Sequence, residues 1–384
     1  MIPLSVPNFE GNEEKYVRDA VGQGWVSTGG AYVEQLEKAI ANYSGTPNAV
    51  ACQSGTAALH LSLIECGVGS KDLVIVPTLT FIAAVNPVKY VGAEPIFMDC
   101  DDSLCMDPVK LEQFCRNECE LTNSGLIHIA TRKAVKAIIV VHVFGNLADM
   151  EALMTIAQKY NLKVIEDATE ALGSYYETGR YSGKMAGSIG NFGAYSFNGN
   201  KIITTGGGGM IVSHDIAALE HLKYLSTQAK DDPHFYIHNE IGYNYRMTNV
   251  QAALGVAQME ELEEFIRRKN KNHLLYCNLL NGTDRYYILD FRKGCRLNKW
   301  FYSLVLNKEF FSGELRTYID HLSNKGIQTR PIWGLIHEQV PYKSCLAYNI
   351  EKAKDYCDRI INLPCSTNLS EAQINEVCTA IKNL

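Results

Sequence analysis

Residues 137–167 read AIIVVHVFGNLADMEALMTIAQKYNLKVIED. Two short β-branched runs, AIIVVHV (137–143) and KVIED (163–167), enclose a stretch near Ala148–Tyr160 that reads as a helix. Apolar runs this continuous do not alternate between core and water, so a strand built from them is covered on both faces. With a helix returning the chain, the second strand lies parallel to the first.

The same rhythm extends upstream. NAVAC (48–52) reads as a strand, followed by a helix from about Thr56 to Cys66. DLVIVP (72–77), a helical segment from Phe81 to Tyr90 and EPIFMD (94–99) repeat the unit. The charged stretch from Cys100 to Lys136 reads as an irregular surface insertion. Downstream, FGAYSF and GGMIVS read as strands flanking a turn that contains SFNGNKIITTGGGGM (196–210). Around 248–280 the pattern becomes one long helix with Thr248 as its N-cap, the usual bridge between domains. The expectation is an α/β protein with a mostly parallel sheet sandwiched by helices. Residues 1–250 form its large domain, and 251–384 supply the linking helix and a small α+β domain.

Composition excludes several classes. The chain has 384 residues with 46% hydrophobic and 20% charged residues, ordinary for a globular enzyme. A net charge of -6 gives no reason to expect nucleic acid or an anionic membrane as partner. The longest apolar runs, such as AIIVVHVF, are far short of a membrane span, and MIPLSVPNFEGNEEKY has no basic and apolar leader pattern. A cytoplasmic protein is expected. The 12 cysteines are scattered through core-like segments without zinc-site spacing, so buried free thiols are expected and no metal site.

Three strand ends carry chemistry, and ligands of open parallel sheets gather at the carboxyl ends of strands. After NAVAC, Ser54, Gly55 and Thr56 stand where a strand turns into a helix; they are either an anion seat or a simple helix cap. Asp167 ends KVIED, either as a ligand-pairing carboxylate or as a cap for a helix through ATEAL, with Glu170 facing the same crevice. Lys201 lies in a turn among small residues, either a Schiff-base amine or a solvated lysine. A phosphate seat, an acid for a ring nitrogen and an amine are together what pyridoxal 5′-phosphate requires. Hydride transfer to NAD needs no lysine, and no magnesium ligands for phosphoryl transfer are evident.

These segments resemble the DegT/DnrJ/EryC1/StrS sugar aminotransferases, within the fold-type I pyridoxal-phosphate enzymes. The likeness runs through GWVSTGG, SGTAALHLSL, PTLTFIAAVNPV, VHVFGN, EDATEALGS, SFNGNKIITTGGGGM, GYNYRMTNVQAALGVAQ, GIQTRPIW and INLPCSTNLS. It implies that Lys201 bonds the cofactor aldehyde and Asp167 pairs with the pyridinium nitrogen. Ser54, Gly55, Thr56 and Ser196 would hold the phosphate, Phe81 would stack on the ring, and Glu170 would stand near the cofactor. Asn244 would reach the phosphate of a neighbouring subunit, implying a homodimer with shared active sites. Trp25, Ser27, Thr28, Arg246, Arg330 and His337 are the substrate candidates, the two arginines for a diphosphate. His337 would face the sugar, or be an ordinary surface histidine.

The all-glycine run and EDATEALGS most resemble enzymes that move the amino group of L-glutamate, released as 2-oxoglutarate, to C4 of a nucleotide-linked 4-keto-6-deoxy-N-acetylglucosamine. Such products feed legionaminic acid or bacillosamine synthesis. GDP-perosamine synthases, C3 sugar aminotransferases and non-catalytic pyridoxal-phosphate-binding regulators are the rival expectations. Related dehydratases replace the lysine with histidine, so Lys201 argues against them.

Overall fold

The computed structural model describes residues 1–384 other than residue 233. Helices α1 (Glu13–Gly22) and α2 (Ala31–Ser44) precede β1 (Asn48–Cys52), α3 (Gly55–Glu65), β2 (Asp72–Pro77), α4 (Asn86–Tyr90) and β3 (Glu94–Met98). Then come α5 (Pro108–Asn117), the hairpin β4 (Cys119–Thr122) and β5 (Gly125–His128), β6 (Ala134–Val141), α6 (Met150–Lys159) and β7 (Lys163–Asp167). After β8 (Tyr175–Tyr176) follow β9 (Phe192–Ser196), β10 (Gly209–Ser213), α7 (Ile216–Ser226) and the long α8 (Asn249–Leu280).

The main sheet has the order β1-β10-β9-β7-β6-β2-β3, and β15 (Leu346–Tyr348) adds to β3. Along that path only β10 runs antiparallel to its neighbours. The strand interiors are buried throughout: Leu73, Val74, Ile75 and Val76 of β2 are each at most 2% exposed. Each such side chain stabilises the fold by about 1.5–3 kcal/mol through burial alone. Helix α3 packs on β9 and β10, α6 on β7, and α2 and α7 on β1. This is the mostly parallel, helix-covered sheet expected from the strand runs, and it matches the fold-type I arrangement that the resemblance implies.

A second sheet, in the order β11-β13-β16-β14, comprises β11 (Tyr286–Ile288), β13 (Tyr302–Leu306), β14 (Arg330–Pro331) and β16 (Ile360–Leu363). Between β11 and β13, β12 (Cys295–Arg296) pairs with β8. Helices α9 (Leu315–Asn324), α10 (Lys352–Cys357) and α11 (Glu371–Lys382) complete the chain. Two segments cross the division expected at residue 250. Ile2 pairs with Ile327 and Leu4 accepts the Cys365 N–H, while β15 returns to the main sheet.

The stretch 100–136 is not irregular. Asp107 caps α5 by accepting the Val109 and Lys110 N–H groups, and Leu111, Phe114, Cys115 and Leu126 are buried. The charges spread along it outside the hairpin, such as Asp101, Lys110, Glu112 and Arg116, are what made it read as charged surface. Helix α8 starts at a capping box, Thr248 accepting the Gln251 N–H and Gln251 the Thr248 N–H. Its length of about 48 Å follows from the rise per residue. Among the described residues no helix is long and apolar enough to cross a membrane.

Candidate active site

Strand register brings three loops to one end of the main sheet. Gly209 pairs with Cys52 on one side and Ser196 on the other, while Asp167 pairs with Ala194 and Val141. The carboxyl ends of β1, β7 and β9 therefore open into one cavity of about 750 Å³. Ser54, Gly55, Thr56, Phe81, Asp167, Glu170, Ser196, Lys201 and Arg330 all line it.

Lys201 enters from the turn between β9 and β10. Its Nζ lies 3.4 Å from Glu170 Oε1 and 4.0 Å from the centre of the Trp300 ring. Glu170 Oε2 accepts the Phe144 N–H at 2.8 Å. Burial pushes the Glu170 carboxyl up to about 7, against the opposing pull of the Lys201 charge. Burial also raises Asp167, with Thr169 and Lys201 acting in the other direction; Asp167 Oδ1 accepts the Thr169 N–H. No helix follows Asp167, so the capping alternative falls away.

Ser54 does cap α3, its side chain accepting the Ala57 N–H. The cap leaves the Gly55 and Thr56 N–H groups at the helix start, where they and the helix dipole suit an anion. Gly55 is required there: a Cβ would meet Thr169 Cγ2 at 2.8 Å and Ser196 Cβ at 3.0 Å. The glycine run serves the same seat. Gly206 and Gly208 have φ of +77° and +141°, and a Cβ on Gly209 would lie 2.4 Å from the Ser54 carbonyl carbon. Gly207 faces open space, its nearest neighbour being Gln251 Nε2 at 3.6 Å from a built Cβ.

This donor set fits pyridoxal 5′-phosphate. A glycine-lined helix start with two hydroxyls takes a phosphate, a buried acid takes a ring N–H, and an amine takes the aldehyde. Each group lines the same cavity, and the Cβ-free approach at Gly55 and Gly209 keeps the seat compact.

Other expected residues lie elsewhere. Arg246 does not face the cavity; its guanidinium donates to buried Glu37 at 2.5 Å, so it is not free for a diphosphate. His337 does not line the cavity; its Nδ1 pairs with buried Thr78 Oγ1 at 2.6 Å, joining the 335–342 segment to the end of β2. Trp25, Ser27 and Thr28 lie on an exposed loop where the Trp25 and Ser27 carbonyls accept from Asn249. Asn244 is exposed, bridging to Thr227. None of these four lines this chain's cavity.

Several site residues escaped the sequence reading. Trp300 donates its Nε1–H to the Asn200 carbonyl at 2.6 Å. Buried Asn298 donates to the carbonyls of Glu170 and Leu172 and accepts the Trp300 N–H. Phe144 adopts φ +57° to aim its N–H at Glu170, and a Cβ on Gly145 would meet Asn298 Oδ1. The VHVFGN segment could have signalled this, a glycine after an aromatic at a strand end being a turn mark.

The sequence profile described as the DegT/DnrJ/EryC1/StrS aminotransferase family matches residues 7–382. The GDP-perosamine synthase of Caulobacter vibrioides is 36% identical over 99% of this chain and 97% of its own. A DegT DnrJ EryC1 StrS aminotransferase from Brucella abortus superposes with a TM-score of 0.86 at 27% identity, covering 97% of this chain and 95% of that one. Spr1654 of Streptococcus pneumoniae, solved in its PLP form, gives 0.87 at 25% identity, covering 100% and 98%.

Proposed function

The chain belongs to the DegT/DnrJ/EryC1/StrS aminotransferase family and is a pyridoxal-phosphate-dependent sugar aminotransferase, and from that premise we propose its substrate and residue roles. The reaction moves the amino group of L-glutamate to C4 of a nucleotide-linked 4-keto-6-deoxy-N-acetylglucosamine in the cytoplasm. The supporting observation is the convergence of Lys201, Asp167 and the α3 start on one cavity, with Arg330 across it.

The cofactor, when bound, supplies an electron sink for the carbon that loses or gains a proton. Lys201 Nζ, as the free amine, would take the proton from the α-carbon of the donor amino acid and, in the second half of the reaction, deliver one to sugar C4. Asp167 holds the ring nitrogen charged, and the Gly55 and Thr56 N–H groups with Ser196 hold the phosphate. Phe81, 54% exposed at the cavity edge, would cover the ring. Arg330 offers a guanidinium to a carboxylate or a diphosphate, both suited to bidentate contact.

Trp25, Ser27, Thr28 and Asn244 fit a homodimer in which each chain completes its neighbour's site. Exposed Trp25, Phe235, Tyr236 and Ile241 give apolar area for such a contact.

A second substrate, a GDP-linked 4-keto-6-deoxy sugar, is favoured by the 36% identity to a GDP-perosamine synthase. Incubation with L-glutamate, pyridoxal phosphate and UDP-, GDP- and dTDP-linked 4-keto-6-deoxy sugars separates the two. The proposal expects the UDP- or GDP-linked N-acetyl sugar to give a product one amine richer, with NMR placing nitrogen at C4. Preference for the GDP-linked sugar without the N-acetyl group supports the perosamine reading instead. Lys201→Ala is expected to lose about 10²- to 10⁴-fold or more in turnover; unchanged turnover would remove Lys201 from the mechanism.

A further inference from the structure

Lys201 is held from two sides by walls that share one clip. Glu170 follows β7 and Trp300 precedes β13, yet Asn298 hydrogen-bonds the carbonyl of the first and the N–H of the second. Phe144 fixes the Glu170 carboxyl, Asn200 fixes the Trp300 indole, and the Lys269 ammonium grips the Trp300 carbonyl at 2.7 Å. So many constraints on two side chains whose common feature is contact with one amine call for a purpose.

We propose that Trp300 and Glu170 form a seat for the Lys201 ammonium, taken up whenever that amine is not joined to the cofactor, with Trp300 as a positioning residue that stabilises its charged form. The proposal rests on the reading of Lys201 as the catalytic amine. A carboxylate attracts an ammonium but also competes for its proton. An aromatic face attracts the charge and accepts no proton. The pair holds the protonated amine in place without draining it, ready to give the proton back. The other charged groups near the amine are Asp167 at the end of β7, Arg330 across the cavity and Lys269 at the Trp300 carbonyl.

The test uses the full chain stripped of cofactor, with its three tryptophans replaced by a fluorotryptophan series. Successive fluorines weaken the ring face while nearly keeping its shape. Trinitrobenzenesulfonate, which reacts with neutral amines, labels Lys201, and the labelled peptide is quantified by mass spectrometry from pH 6 to 11, from well below to just above the lysine reference value of about 10.4. The expected result is a stepwise rise in the neutral-pH rate, reaching about two- to thirty-fold, with the high-pH plateau unchanged. Trp300→Phe, with a weaker ring face and no indole N–H for the Asn200 carbonyl, is expected to raise the neutral-pH rate as the fluorinated rings do, and Glu170→Gln to raise it as well. Rates indifferent to fluorination, or a changed plateau in place of a changed neutral-pH rate, would overturn the seat. No sugar or glutamate enters the measurement. A wrong substrate assignment therefore leaves this result standing, and failure here leaves the turnover of Lys201→Ala to judge the mechanism.

Discussion

Gly209→Ala is the sharpest perturbation of the phosphate seat. Its new Cβ would lie 2.4 Å from the Ser54 carbonyl carbon, 2.5 Å from its oxygen and 2.6 Å from the Gly55 nitrogen. All three are backbone atoms, so no side chain can swing aside. Strand β10 is clamped between β1 and β9, which leaves the start of α3 to yield, by roughly 1 Å if ordinary contact is to be restored. Overpacking of this kind costs about 1–3 kcal/mol. If that cost falls on the geometry that grips the phosphate, cofactor affinity drops by roughly 5- to 150-fold. Equilibrium dialysis against pyridoxal phosphate, read by absorbance, measures it directly. Gly207→Ala is the control: its φ is not positive and its Cβ meets nothing closer than 3.6 Å, so its affinity should match wild type. Equal affinities for the two variants, or a weaker Gly207→Ala, would refute the argument.

Other outcomes follow from the buried groups. Burial raises the Glu170 carboxyl to about 7, above its unfolded value, so its contribution to stability is full below the unfolded value near 4.3 and fades as pH rises through 7. In cofactor-free protein, urea midpoints of Glu170→Gln should lack that decline between about pH 4.5 and 7.5. Asp99 behaves in the opposite sense. Burial pushes it up, but the Lys110 ammonium and the N–H groups of Ala353, Glu351 and Cys100 outweigh burial and hold it below the usual carboxylate range. Its stabilisation is present above the unfolded value and is lost as pH falls through the folded one. Asp99→Asn should destabilise by on the order of 3 kcal/mol at pH 7 in urea unfolding, the gap closing in acid below about pH 4. His337→Ala should leave the sugar KM within about twofold while costing about 1 kcal/mol of stability, the ordinary worth of its hydrogen bond to Thr78.

The parallel sheet was legible because buried strands must be apolar on both faces, and β2, β6 and β7 carry that requirement in their own residues. Lys201, Asp167 and Ser54–Thr56 were legible for a related reason: a strand end next to a helix or turn is a local pattern. What could not be read were partnerships across the chain. Arg246 looks like a free phosphate-binding arginine until Glu37, far upstream, is folded against it. Trp300 and Asn298 have no local mark, since their meaning lies in Lys201 and Glu170. The hairpin at residues 119–128 was misread because only Cys119, Leu126 and His128 of its two strands are buried, too few and too scattered to mark a core element.

Helix α8 touches the catalytic loop at separate heights. Gln251 donates to the Gly207 carbonyl, Gln258 accepts the Thr204 N–H, and Lys269 holds the Trp300 carbonyl. From Gln251 to Gln258 is about two turns, and from there to Lys269 about three, so all three project from one face. The helix is thus a phase gauge for the loop. Deleting one residue between Gln258 and Lys269 would turn every later side chain by about 100°. The glycine run would keep its anchor while Trp300 lost its own, and buried Tyr276 and Leu280 would turn away from the core with it.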